Sequence, residues 1–477
     1  MSVHGSTHPG QAPGLAHQRV SSLAVAARLA GAFSIAFLGM LVVAGWFTSS
    51  SWCWVAWLVI GAAAGAVAGS PRAVWLVALA TLAIYPVAAL GELPERAMEW
   101  QYWAMLTLVG GMVTGAGFAL GGAVAARRGA PGRARRSSRR WVVGAVLVGL
   151  LGMLAWTGYS GYLGSDQMVL APTTSHSCDT PASRFGWAYE PINYDPADDA
   201  RLADAPGGLA NCTTQGTIAG SQVLAADGTP IAGWYIPAAN GAGATAPTFI
   251  VAPGWKSNKT GILKYAPFFH ERFNLVLVDL RNQGRSGGEA TTWGVNERQD
   301  IMAMVDWLER EKNPSWIGAV GNSMGAATVT AAAAADPRIK ALVLDSMHAS
   351  VTTSFGDGLA NETNLPGYPT AWTMVWLSSL RSGVDLTSAD PEGVIAQVGD
   401  RPVLLIHGTD DILDVPAHSA DLNLAAAKAA GVPATLEYCE GGRHGKLVDH
   451  CPGQWQAWLE EFLAGIPALQ AASTSGR

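Results

Sequence analysis

Five apolar runs without a charged residue, at positions 29–47, 52–69, 73–91, 103–126 and 141–163, fill most of the first third of this 477-residue chain. Each has 18 to 24 residues, and a hydrocarbon core of about 30 Å takes about 20 helical residues to cross. The pattern therefore predicts a transmembrane region over 29–163 with five helices, preceded by a cytoplasmic tail over 1–28. Trp46, Trp52, Trp103 and Trp141 fall near run ends, as interfacial anchors do. A cleaved signal peptide would account for the first run but not the next four.

Charge sets the expected orientation. Residues 1–163 carry 11 Arg, 3 Glu and no Lys, a balance of +8, which leaves −14 for the rest of a chain whose net charge is −6. Arg127, Arg128, Arg133, Arg135, Arg136, Arg139 and Arg140 crowd the loop after the fourth run, whereas the loop after the third holds Glu92, Glu95 and Glu99 beside Arg96. Basic short loops stay inside, so the N-terminus is expected inside and residues 164–477 outside. An acidic outer part excludes a basic nucleic-acid binder. The runs hold no acidic or basic side chain, which argues against an ion or proton pathway. Glycines at four-residue spacing, such as Gly61, Gly65 and Gly69, permit close helix packing; the pattern leaves the oligomeric state open.

Cysteine usage bears on the same expectation. Cys53 lies in a run, while Cys178, Cys212, Cys439 and Cys451 form an even outer set that allows three pairings. The sequence-local choice, Cys178 with Cys212 and Cys439 with Cys451, would suit an oxidising compartment; free buried thiols are the alternative.

Residues 164–214, rich in Pro, Asp, Ser and Gly, suggest an outer linker and lead-in. SQVLAADGTPIAGWYIP then alternates around Asp227-Gly228 as a hairpin would. The apolar segments TFIVAPG, FNLVLVDLR, WIGAVGNS, IKALVLDS, PVLLIHG and ATLEYCE alternate with helix-length stretches such as 298–311 and 326–336. That order predicts a mostly parallel sheet covered by helices on both faces, an α/β class, over 215–465. The segment 348–399 interrupts the rhythm and sits where a cap would, and 466–477 is expected as a disordered tail.

The sharpest local signal is Gly321-Asn322-Ser323-Met324-Gly325 between the strand WIGAV and an Ala-rich helix. This is a nucleophile elbow, whose tight turn needs small residues two before and two after the serine. A serine hydroxyl needs a base and a group to orient that base. His444, in the glycine-rich loop EGGRHG, is the candidate base. Asp411, Asp410 and Asp345 are the candidate acids, Asp411 being preferred, and His407 reads as structural. Backbone N–H groups of Met324 and Trp255 are the candidate oxyanion donors. A Cys439–Cys451 bridge would close a short loop around His444. No phosphate loop, zinc-spaced cysteine pair or calcium-loop pattern occurs, and neither metal nor cofactor is expected.

These residues resemble the alpha/beta-hydrolase superfamily over about 215–465; the membrane half lies outside the resemblance. APGWKSNKTG is similar to its oxyanion turn, with Pro253 in place of the usual His. VDLRNQGRSGG is similar to a D-x-R-x-x-G-x-S-G turn of bacterial members through Asp279, Arg281, Gly284, Ser286 and Gly287. HGTDD matches the acid turn, the resemblance placing the acid at Asp411, although the run on to Val415-Pro416 is one residue longer than usual, which keeps Asp410 open. The fold hosts many chemistries. The expectation is a membrane-anchored, extracytoplasmic serine hydrolase acting on carboxylic esters, lipid-borne ones among them. An acyltransferase with a lipid-linked donor or acceptor, or a serine peptidase, are the alternatives, and a scaffold with a degenerate domain is a third class.

Overall fold

The computed structural model describes residues 154, 157–170, 179–194, 222–241, 243–363 and 367–474. The expected tail over 1–28 lies outside them, as do the apolar runs except for residues 154 and 157–163. Among the described residues no helix is long and apolar enough to cross a membrane. Contacts separate Met1–Tyr159 from Ser160–Arg477.

Eight strands form one sheet: β1 (Glu190–Ile192), β2 (Gly233–Ile236), β3 (Thr248–Ala252), β4 (Asn274–Val278), β5 (Ile317–Asn322), β6 (Ile339–Asp345), β7 (Val403–Gly408) and β8 (Ala434–Cys439). Their spatial order is β1-β2-β4-β3-β5-β6-β7-β8. β2 is antiparallel to both neighbours, and every pair from β4 to β8 is parallel. β2, β3 and β4 are buried along their whole length, which is why they read as continuous apolar runs rather than alternating ones.

Helices cover both faces. The described ones used below are α1 (157–170), α2 (Glu297–Glu311), α3 (Met324–Ala335), α4 (Val351–Thr363), α5 (Thr370–Ser382), α6 (Ala420–Ala429) and α7 (Pro452–Ala464). One core joins Ile301, Met304 and Trp307 of α2 and Val329 of α3 to Ile250, Val276 and Leu342; the opposite face packs Tyr265, Phe269 and Trp455 on Phe249, Leu277 and Val343. Burying a side chain of this size stabilises by roughly 1.5–3 kcal/mol. The α/β class and mostly parallel sheet are as expected. The chain leaves β3 toward β4 on one side and later returns to β5 on the other, so the sheet reverses direction at β3. A crevice opens beyond the strand ends at such a reversal, and it is there that the β3 turn and the elbow meet.

Two expectations are corrected and a third is qualified. The lead-in over 164–214 is not merely a linker: α1 runs on to residue 170, and β1 closes the sheet's edge by pairing Pro191 with Trp234. β1 is too short to show an alternation. The hairpin at Asp227-Gly228 is present but short: Leu224 and Pro230 make one antiparallel bridge, with Ala225 N–H donating to the Thr229 carbonyl at 2.8 Å and Ile231 N–H to the Val223 carbonyl at 3.1 Å, before the second arm continues into β2. The expected disordered tail is helical over Pro467–Thr474, with Leu469 packed against the core. The segment expected as a cap, 348–399, holds two helices, α4 and α5, followed by short turns leading to β7.

Candidate active site

Ser323 sits between β5 and α3 with φ 53° and ψ −121°, a conformation costly for a side-chain-bearing residue and typical of functional turns. Its neighbours explain why two glycines flank it. A Cβ at Gly321 would overlap the Ala326 backbone, and one at Gly325 would overlap the carbonyl oxygens of Ala252 and Pro253. The Ser323 N–H donates to the Asp345 carbonyl at 2.8 Å, fixing the turn against β6.

From Ser323 a hydrogen-bonded chain runs inward. Ser323 Oγ lies 2.8 Å from His444 Nε2, and His444 Nδ1 lies 2.8 Å from Asp411 Oδ2. The other Asp411 oxygen accepts from the N–H groups of Leu413 and Asp414 at 3.1 and 2.9 Å. Burial pushes the Asp411 pKa up, but the hydrogen bond and charge of His444, the charge of His407 and the Asp414 N–H outweigh it and hold the carboxyl below its ordinary range. With His444 neutral, Asp411 accepts its Nδ1 proton and so leaves Nε2 free to accept from Ser323.

The three acid candidates separate cleanly. Asp410 is exposed. Asp345 is buried, but its carboxylate bonds Ser346 Oγ at 2.8 Å, Asn322 Nδ2 at 3.2 Å and Trp455 Nε1 at 3.1 Å, and burial raises its pKa. Only Asp411, of the three, bonds the imidazole. His407 is buried and donates through Nε2 to the Asp414 carbonyl at 2.7 Å, bracing the acid turn from the end of β7.

A further carboxylate had no sequence signal. Asp414 is 1% exposed, its Oδ2 lies 3.5 Å from His444 Nδ1, and its Oδ1 has no hydrogen-bond partner among the described residues. It occupies the run that is one residue longer than the superfamily pattern. Burial disfavours a charged His444, yet the Asp411 hydrogen bond and the Asp414, Asp411 and Asp345 charges overcome it and the pKa is pushed up to about 9.

The loop carrying His444 is tied at several points. The Cys439–Cys451 disulfide, with Cα atoms 6.3 Å apart, brackets it. Lys264 Nζ donates to the Gly445 carbonyl at 2.6 Å, and Gly445 N–H donates to Ser346 Oγ at 3.1 Å. The proposed partners Cys178 and Cys212 lie outside the described residues.

Met324 begins α3, so its N–H is among the donors that a helix leaves unspent. The β3 turn faces it: a Cβ at Gly254 would stand 3.3 Å from Ser323 Cβ. Gln283 Nε2 donates to the Gly254 carbonyl at 3.1 Å. In a trans peptide C=O and N–H point opposite ways, so this bond turns the Trp255 N–H away from Gln283. The ring of Trp255 meets Trp293 and Phe355 at centroid distances of 5.4 and 5.8 Å, forming an aromatic wall with Phe355 from the cap. Trp255 Nε1 and His348 Nδ1 are buried without a hydrogen-bond partner among the described residues. Among those residues, no three His, Cys, Asp or Glu side chains are grouped to hold a metal ion.

The D-x-R-x-x-G-x-S-G turn is structural. Asp279 accepts from Lys259 Nζ and from the N–H groups of Lys259 and Arg285, while Ser286 Oγ donates to the Asp279 carbonyl at 2.5 Å. Gly284, at φ 52°, approaches the Asp279 carboxylate so closely that a Cβ would collide with it. Arg281 holds α2 through a two-nitrogen contact with Asp300.

Residues 230–384 match the model of the X-Pro dipeptidyl-peptidase (S15) family, a span that includes Trp255 and Ser323 and stops before Asp411 and His444. The protein YqkD of Bacillus subtilis (strain 168) is 30% identical over 220 residues, covering 45% of this chain and 70% of that protein. The chain belongs to the family of YqkD, within the alpha/beta-hydrolase superfamily. YfhR of Escherichia coli O157:H7 is 32% identical to this hydrolase over 206 residues, 42% of this chain and 66% of that one. Among solved structures, the esterase Pf2001 of Pyrococcus furiosus is 21% identical with a TM-score of 0.45, covering 61% of this hydrolase and 96% of that chain.

Proposed function

We propose that this hydrolase is a membrane-anchored extracytoplasmic serine esterase working through an acyl-enzyme. The observation that carries the chemistry is the continuous hydrogen-bonded chain from Ser323 Oγ through His444 to Asp411. Ser323 Oγ attacks the ester carbonyl carbon while His444 Nε2 takes its proton; the oxyanion accepts hydrogen bonds from the N–H groups of Met324 and Trp255. Collapse breaks the bond to the alkoxide, which takes the proton from His444 and departs as alcohol. Water, deprotonated by His444, then attacks the acyl carbon, and Ser323 leaves with the proton restored. Asp411 stays ionised and steadies the imidazolium. The aromatic wall of Trp255, Trp293 and Phe355 suits an apolar acyl group. Anchoring is supported by the five apolar runs and the outward orientation by the Arg distribution, and the Cys439–Cys451 bridge suits an oxidising compartment.

The S15 match favours a second reading, cleavage of a peptide bond by the same triad. One experiment separates them: full-length enzyme and Ser323→Ala are assayed on aryl esters of increasing acyl length and on X-Pro aryl amides. Ester turnover that vanishes in the variant supports the esterase; faster amide turnover supports the peptidase; equal rates in both proteins remove Ser323 from the mechanism.

A further inference from the structure

The cap helix α5 is packed on one side and bare on the other. It buries Thr370, Ala371, Met374, Val375 and Ser378, while Trp372, Trp376 and Leu380, at four-residue spacing, are 61, 61 and 62% exposed, and Tyr368 just before them is 40% exposed. This spacing places them on one stripe. Soluble proteins seldom leave such a patch uncovered without an interaction to match, and half-immersed indoles are the mark of a membrane–water interface.

What this stripe meets is indicated by the helix beside it. α1 lies against α5 at closest approach through glycines: a Cβ at Gly161 would stand 2.5 Å from Thr373 Cγ2, and one at Gly164 would overlap the Met374 side chain. Arg381 pairs with Asp166 and lies 4.3 Å over the Tyr162 ring, and Ser378 Oγ contacts Met168 Sδ at 3.3 Å. Gly161 falls within the last apolar run, 141–163, and Gly164 follows it directly. With a rise of about 1.5 Å per residue, the part of α1 that holds α5 is the part at which the chain would leave a bilayer. Nearby Tyr162 is itself 52% exposed.

We propose that the Tyr368, Trp372, Trp376 and Leu380 face of α5 docks on the surface of the lipid bilayer. This rests on the membrane-anchored reading above and deepens it, since it makes the substrate class an ester presented in a membrane. The docked helix is close to the chemistry: a Cβ at Gly356 of α4 would stand 2.8 Å from the Tyr368 ring, and the adjoining Phe355 reaches Trp255, whose N–H serves the oxyanion. Lipid contact at Tyr368, where α5 begins, thus lies two packed contacts from Trp255, and the cap is the side from which an acyl chain would enter.

The test uses the full chain reconstituted in phosphatidylcholine vesicles. The variant W372S/W376S/L380S is expected to hydrolyse a long-chain aryl ester held in those vesicles roughly tenfold or more slowly, since removing apolar contact of this size costs at least a decade in association. Its rate on a water-soluble acetyl ester should be unchanged, which also shows that it is folded. Independently of activity, the emission lost on making W372F/W376F should be quenched at least twofold when brominated phosphatidylcholine replaces the ordinary lipid. Unquenched emission overturns the proposal, as does an equal loss on both esters. A wild-type dimer that the triple variant turns into a monomer also overturns it, by assigning the face to a second copy. Carbonate extraction of native membranes reads the anchor separately: release of the chain would sink the anchored reading, whereas retention with no quenching sinks only the docking of α5.

Discussion

Replacing Asp414 with Asn removes a charge from beside His444 while keeping the shape of the side chain. With its pKa pushed up to about 9, His444 favours the protonated form by about 3 kcal/mol relative to an ordinary imidazole of pKa about 6.5. Three carboxylates sustain that preference against burial. Asp411 does so through a 2.8 Å hydrogen bond, Asp414 at 3.5 Å, and Asp345 without a hydrogen bond to the ring. The share of Asp414 is then on the order of 1 kcal/mol, or roughly one pH unit. Since neutral His444 is the base, kcat/KM of the free enzyme should rise with pH to a midpoint of about 9. D414N should lower this midpoint to roughly 8 and reduce the plateau less than tenfold. D411N should instead collapse the plateau by about 10⁴ through loss of the correct tautomer. Stopped-flow hydrolysis of a soluble aryl ester from pH 5 to 10 measures both. An unmoved midpoint in D414N, or a plateau loss as large as in D411N, would refute the division of roles between the two carboxylates.

Further outcomes follow from the same geometry. Ser323→Ala should lower kcat by roughly 10⁵ or more with little change in KM, read by progress curves at high enzyme concentration. Gln283→Ala should cost roughly tenfold in kcat by freeing the Gly254–Trp255 peptide, with the pH midpoint unmoved; a shift in the midpoint would place Gln283 in the proton path instead. Cys439→Ser should lower unfolding free energy by about 3 kcal/mol, the scale for a closed loop of this length, seen as a lower denaturant midpoint. Because the folded pKa of His444 is raised, its contribution to stability is complete below about pH 6.5 and is lost as pH climbs through about 9; denaturant titrations across that interval should show the decline, and His444→Gln should remove it.

Much of the site was legible because its chemistry constrains local sequence. The elbow demands glycines at 321 and 325 for reasons the packing makes plain, and the order of serine, acid and histidine follows the strands that carry them. Asp411 was preferred over Asp410 only through the resemblance, since the two are neighbours in one turn; the bond to His444, with those from Leu413 and Asp414 N–H, shows that Asp411 is the one facing inward. Asp414 and Gln283 act through space on residues 30 and 29 positions away, a separation that leaves no local motif. β1 was missed because Glu190, Pro191 and Ile192 have no periodicity, and their strand exists only through pairing with β2. The helix over Pro467–Thr474 was missed because its composition is small and polar, while its order comes from Leu469 on the core.

The central claim is that His444 activates Ser323, and covalent trapping tests it most directly. The intact mass of full-length protein incubated with a fluorophosphonate should increase by one adduct, located by peptide mapping on Ser323, absent in Ser323→Ala and formed far more slowly in His444→Ala. Labelling of a different residue, or an equal labelling rate without His444, would contradict the account.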